Sequence, residues 1–181
     1  MIVITFFILV SNANAMDVGL GIELKSDYSS YGATIYVPID ISPSFRLEPH
    51  FAYGNIDGED VRPTSSSSDS TTLMELGVGA FGIQQVDPST KLYFGARLSY
   101  LSFEDSRVYP TSWNSTDENG FEIAPTVGFE YFLRDNISLG GEAAWFYAKL
   151  EGEETSSSSP TTETEYEVTG TDTQVILRYY F

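Results

Sequence analysis

The chain has 181 residues, 26 acidic against 9 basic side chains for a formal charge of -17, no Cys, and 41% hydrophobic and 14% aromatic residues. That length suits one domain; the missing Cys excludes a disulfide scaffold and a thiolate metal site, and the charge excludes a nucleic-acid binder, which needs a basic face toward phosphate. Beyond the first ten residues no apolar run approaches the roughly 18 to 20 residues of a membrane-crossing helix, which excludes a helical membrane protein.

Residues 1–15 form an apolar stretch ending in a small-x-small site at Ala13 and Ala15. They read as a secretory signal peptide cleaved after Ala15, although no Lys or Arg precedes the apolar run. Residues 16–181 are then the mature domain.

From Met16 onward the hydrophobic period is two rather than 3.6. Val18, Leu20, Ile22 and Leu24 alternate with Gly19, Gly21 and Glu23; next, Ile35, Val37, Ile39 and Ile41 alternate with Thr34, Tyr36, Pro38 and Asp40. After a tight turn at 42–44, Phe45, Leu47, Phe51 and Tyr53 oppose Arg46, Glu48, His50 and Ala52. The fourth segment sets Met74, Leu76, Val78 and Ala80 against Glu75, Gly77 and Gly79, then blurs at Phe81, Gly82 and Ile83, which suggests a bulge. In the fifth, Leu92, Phe94, Leu98 and Tyr100 oppose Tyr93, Gly95, Arg97 and Ser99; in the sixth, Phe121, Ile123, Val127, Phe129 and Tyr131 oppose Glu122, Ala124, Gly128 and Glu130. The seventh has Ile137, Leu139, Trp145 and Tyr147 against Ser138, Gly140, Glu142 and Ala144, and the eighth Val175, Leu177, Tyr179 and Phe181 against Gln174, Arg178 and Tyr180.

Eight such segments, joined alternately by short turns (42–44, 86–90, 134–136) and longer connections (about 26–32, 54–70, 104–120, 151–171), predict an all-β fold: an eight-stranded antiparallel up-and-down transmembrane β-barrel. Pro38, Pro49 and Pro125 fall within strands, where each removes a ladder donor, so local bulges are expected there. A soluble ligand-binding barrel would alternate equally well. Three features favour lipid outside. The face bearing Val18, Ile35, Leu76 and Ile137 has no charge in mid-strand. Its aromatics gather into two girdles: Phe45, Phe94, Tyr131, Tyr179 and Phe181 at the turn end, and Phe51, Tyr53, Tyr100, Phe121, Trp145 and Tyr147 at the loop end. The third feature is the ending Leu177-Arg178-Tyr179-Tyr180-Phe181.

With that ending the chain resembles the small outer-membrane β-barrel family of outer membrane proteins A and X and the opacity-type proteins. The resemblance implies that Tyr179 and Phe181 are an insertion signal read by the barrel-insertion machinery, and that the protein lies in the bacterial outer membrane. Outer-membrane lipid A deacylases are similar in size and architecture but carry a His-x-Ser pair; here Ala52 stands two residues after His50, the only His, and enzyme activity is not expected. A wide diffusion porin needs about 16 strands.

The inward face collects Glu23, Asp40, Glu48, Glu75, Glu130 and Glu142 with Arg46, His50, Arg97 and Arg178. In a narrow lumen these should pair into a network, read as a structural plug or, by resemblance to the outer membrane protein A barrel, as a gate. The excess of Glu over Arg predicts that one or more of these Glu is protonated or reaches water. The longer connections carry fifteen acids, among them Asp27, Glu59, Asp60, Asp117, Glu151, Glu153, Glu163 and Glu165, against Arg62 and Arg107. Such a crown repels polyanions and suits divalent cations or a basic extracellular partner, though no calcium-loop spacing occurs. The serine runs 65–68 and 156–159 read as mobile low-complexity tips, and Tyr109, Trp113 and Tyr166 as loop anchors for a binding partner. The remaining expected partners are outer-membrane lipid and lipopolysaccharide; no cofactor is expected, and a closed small barrel needs no second copy. The leading function is a structural or surface-interaction role, and the alternative is a narrow gated pore or a route for small molecules as in the similar outer membrane protein W type.

Overall fold

The computed structural model describes residues 17–24, 33–62 and 65–181, and side chains outside 24 and 59–66. The signal peptide 1–15, Asp27, and the side chains of Glu59, Asp60 and Arg62 lie outside what is described.

Among the described residues, nine strand segments form one sheet: β1 (Asp17–Leu24), β2 (Ala33–Tyr36), β3 (Ile39–Ser42), β4 (Phe45–Arg62), β5 (Ser65–Asp87), β6 (Thr90–Tyr109), β7 (Ser112–Arg134), β8 (Ile137–Ser156) and β9 (Thr162–Tyr180). Each pairs antiparallel with its neighbour, and β1 pairs with β9 to close the ring. β2 and β3 are two halves of one strand, so the ring has eight staves.

The prolines interrupt pairing without shifting register, which corrects the expected bulges. Tyr36 faces His50 before the gap at Val37 and Pro38, and Ile39 faces Leu47 after it, the same alignment on both sides. Pro49 stands opposite Val78 in an unbroken ladder, and Pro125 stands opposite Ala96 on one side while its pairing with β8 lapses between Ile123 and Thr126 and resumes in the same alignment. A missing N–H deletes one hydrogen bond but requires no extra residue. The register shifts lie instead beside the tight turns, at Asp40/Ser42, Gln85/Asp87 and Phe132/Arg134, where the chain must reverse direction.

No bulge occurs at Phe81 to Ile83 either; Phe81 faces Gly95 and Ile83 faces Tyr93 in regular order. Phe81, Ile83 and Tyr93 are buried together inside the ring. They are apolar residues at inward positions, accommodated because Gly79 leaves space for the Phe81 ring and Gly128 for that of Tyr93.

The larger difference concerns the connections. Those expected over 54–70, 104–120 and 151–171 are mostly strand: β4 and β5 pair out to Arg62 and Ser65, β6 and β7 out to Tyr109 and Ser112, and β8 and β9 out to Glu154 and Thr162. Strands of 18 to 23 residues are about twice the 9 to 11 residues that cross a bilayer. The serine run 65–68 therefore opens β5, and only 157–159 bend at a tip. Side-chain hydrogen bonds hold these polar hairpins: Ser70 Oγ donates to Asp57 Oδ1 and Thr71 Oγ1 to Asp105 Oδ1, both at 2.7 Å.

Candidate functional site

The alternation sends the charged face of every stave inward, and the ring brings those groups together. Toward the turn end, Arg46 Nε donates to Asp40 Oδ1 at 2.6 Å, and its Nη2 to Glu130 Oε2 at 3.0 Å and to Tyr180 Oη at 2.7 Å. Tyr180 Oη donates to Glu130 Oε1 at 2.7 Å, Ser138 donates to the same oxygen, and Lys91 Nζ reaches Asp40 Oδ2 at 2.9 Å. Midway along the ring, Arg97 donates to Glu142 Oε2 at 2.5 Å and to Glu48 Oε1 at 2.7 Å, while Arg178 Nη2 lies 3.0 Å from both Glu48 Oε2 and Glu142 Oε1. Tyr93 Oη donates to Glu142 Oε1 at 2.6 Å. Arg97 is flanked by the rings of Tyr36 and Phe81, at 5.1 and 5.0 Å.

The charges of this plug balance. Asp40, Glu48, Glu130 and Glu142 meet Arg46, Lys91, Arg97 and Arg178, and of the eight only Lys91 has a side chain more than one-tenth exposed. A buried ion is tolerated only when a counter-ion and hydrogen bonds replace its water. Here each carboxylate has at least two donors.

Beyond the plug the lumen widens into a cavity of about 250 Å³ lined by Glu23, Thr34, Tyr36, His50, Glu75, Arg97, Glu122, Asp172 and Gln174 among others. Glu23 accepts from Thr34 Oγ1 at 2.6 Å, and Tyr36 Oη donates to Gln174 Oε1 at 2.8 Å. His50 Nε2 lies 2.9 Å from Glu75 Oε1 and 3.1 Å from Ser99 Oγ, and Ser99 Oγ donates to that same carboxylate oxygen at 2.7 Å. These three residue types make a hydrolase triad only if the acid and the serine hold opposite nitrogens of the imidazole. Here both sit on Nε2, Nδ1 has no partner among the described residues, and the serine hydroxyl is engaged with the acid rather than activated by the base.

All ten inward charged or imidazole residues picked out from the sequence thus line one lumen: seven in the plug, and Glu23, His50 and Glu75 around the cavity. Lys91, Tyr36, Tyr93, Ser99, Ser138, Tyr180, Glu122 and Asp172 were missed as members. The inward parity of Tyr93, Ser99, Glu122, Ser138 and Tyr180 was itself a usable signal.

On the outside, Phe45, Phe51, Tyr53, Phe94, Tyr100, Phe121, Tyr131, Trp145, Tyr179 and Phe181 are exposed and Tyr147 is half-buried. Tyr100 meets Phe121, and Tyr179 meets Phe181, edge to face at 5.5 and 5.4 Å. Tyr109, Trp113 and Tyr166 are exposed but stand on strands β6, β7 and β9 of the long hairpins, not in loops as expected. Alongside them Asp117, Glu151, Glu153, Glu163 and Glu165 line a depression of about 780 Å³. Lys149 bridges Glu151 and Glu165, each at 2.8 Å; those hydrogen bonds hold Lys149 well above the usual lysine range and Glu151 below the usual carboxylate range. Among the described residues no group of three His, Asp or Glu is placed to hold a metal ion.

An antiparallel ring, joined to itself where β1 meets β9, with a charged and plugged interior and an apolar exterior, defines a barrel of the outer-membrane type. The fold is similar to that of a major outer membrane protein from Thermus thermophilus, at 13% identity and TM-score 0.63, covering 92% of this chain and 98% of that one. It is also similar to CarO2 of Acinetobacter baumannii, at 11% identity and TM-score 0.51, covering 93% of this chain and 100% of that one. At such identities the likeness is one of fold, and it extends to outer-membrane barrels in general rather than to the protein A, protein X and opacity-type group. No family model and no curated protein matches the sequence.

Proposed function

We propose that the protein is a non-enzymatic barrel of the bacterial outer membrane, exported through a signal peptide at residues 1–15, with a structural plug in its lumen and an interaction surface on its acidic hairpins. The observation that carries this reading is the division of charge. Four acids and four bases cancel inside the plug, so the surplus carboxylates fall on the cavity and the hairpins. A membrane setting is supported by the exposed, uncharged belt of Leu76, Leu98, Val127 and Phe129 between two sets of aromatics. Kinship with the protein A, protein X and opacity-type group rests on the eight staves and the aromatic ending. Lipid, lipopolysaccharide and the insertion machinery are the partners of such a barrel, and it needs no cofactor or second copy.

The test is single-channel conductance of chain 16–181, refolded in detergent and shown folded by its altered migration on unheated gels. A silent barrel is expected, and shortening the β6–β7 and β8–β9 hairpins should abolish surface binding while leaving the folded band. Steady conductance that follows pH would overturn the plug and favour a gated pore. One observation supports that second reading: Arg97 and Arg178 share the same two carboxylates, Glu48 and Glu142, a pairing that can be redistributed.

Phe181 offers a separate test. It is 80% exposed, so its removal costs little packing within the chain. Deleting it should nevertheless lower the amount of inserted barrel several-fold in an outer-membrane fraction, as loss of a recognition signal would. Undiminished insertion would sink that role.

A further inference from the structure

Among the described residues the ring is closed only through its lower part. β1 accompanies β9 as far as the pair Leu24 and Val175, and β2 accompanies β4 as far as Ala33 and Tyr53. Above those pairs β9 runs on to Thr162 and β4 to Arg62, with no described strand beside their outer edges. The eight residues between Leu24 and Ala33 have chain enough for about four positions up either edge and back. The stretch 162–169 lies beyond that reach.

The direction of the free groups can be read from the ends of the ladder. Tyr180 N–H donates to Asn136 O toward β8 at 2.8 Å, and Phe181 N–H donates to Val18 O toward β1 at 3.0 Å. β9 pairs with β8 without a register shift, so its odd-numbered residues turn N–H and C=O toward the β1 side throughout. Among the described residues, Glu163, Glu165, Glu167 and Thr169 therefore present an unpaired ladder at an open edge, a template for another strand.

The side chains define what that strand must carry. Glu104, Asp117, Glu153 and Glu163 stand directly opposite one another across β6, β7, β8 and β9, a row of like charges that ends at the free edge. Like charges in that relation repel, and opposite charges attract. Where a base occurs, the attraction is realised: Lys149 faces Glu167 and binds Glu165 at 2.8 Å. On the other face of β9, Tyr166 and Val168 are exposed and apolar.

We infer that the free edge of β9 over 162–169 receives, by strand addition, an extended segment of another polypeptide in which Lys or Arg alternates with apolar residues. This rests on the reading of the hairpins as an interaction surface. Basic side chains continue the acidic rows beyond Glu163, Glu165 and Glu167, and apolar ones lie beside Tyr166 and Val168.

The experiment uses the refolded full barrel in detergent and a labelled ten-residue peptide alternating Lys and Val, with binding followed by fluorescence anisotropy. The controls are an alternating Glu and Val peptide and a Lys/Val peptide of scrambled order. Thr169→Pro removes an N–H that points only to the free edge, so the β8 ladder and the folded band on unheated gels should persist. The expected result is binding of the alternating Lys/Val peptide alone, weakened at least tenfold by Thr169→Pro and also by Glu163→Gln, Glu165→Gln and Glu167→Gln combined. Equal binding to wild type and Thr169→Pro, equal binding of the scrambled peptide, or no binding to wild type overturns the inference. If the three Gln changes abolish binding while Thr169→Pro leaves it intact, strand addition is wrong and the acidic interaction surface stands.

Discussion

Arg178→Met should destabilise the barrel by about 3 to 5 kcal/mol, the cost of stranding buried charge when one partner of an ion pair is removed. Arg178 is 1% exposed and bonds to both Glu48 and Glu142, and Glu48 is wholly buried. Methionine keeps much of the volume, so the loss reports charge rather than a cavity. Adding Glu48→Gln to Arg178→Met should restore part of the stability, because the surplus carboxylate is then gone. Denaturant unfolding in detergent, followed by the loss of the folded gel band, measures both. A change under about 1 kcal/mol for Arg178→Met would mean that water reaches the plug and screens its ions.

The second large effect concerns shape. A side chain at position 128 would run into the Tyr93 ring, 2.5 Å from an added Cβ. Gly128→Val should therefore lower stability by about 1 to 3 kcal/mol through overpacking, and Tyr93→Ala in the same chain should recover part of it. Tyr93 also donates to Glu142, so the recovery is incomplete. Unaltered stability in Gly128→Val, or no recovery in the double variant, would show that Tyr93 can move aside and that the lumen is less tightly filled than its geometry implies.

How far these features could be read from residue order depends on which rule governed them. The staves and the inward set from Glu23 to Arg178 follow from a period of two, which survives any detail of packing. The rule that apolar means lipid-facing failed at Phe81 and Ile83, which pack with Tyr93 inside the ring, because the room for that cluster comes from Gly79 beside Phe81 and Gly128 beside Tyr93. Lys91 was missed because it sits two residues past a turn, where a base reads as solvated; its pairing with Asp40 joins residues 51 apart in the chain. The long hairpins were hidden by composition. Ser, Thr and Glu over 54–70 and 151–171 show no apolar periodicity, and what makes them strands is cross-strand hydrogen bonding and templating by the barrel below.

The charge-balanced plug also bears on how the ring comes to be closed. Its cations and anions are distributed so that β9 contributes Arg178 alone, while Glu48 and Glu142 wait on β4 and β8. Glu48 and Glu142 both bind Arg97 and Arg178, Glu48 also lies 3.9 Å from Arg46, and without the cation of β9 the plug would hold one more negative charge than positive. The strand that closes the ring against β1 is therefore also the one that carries the cation balancing the lumen.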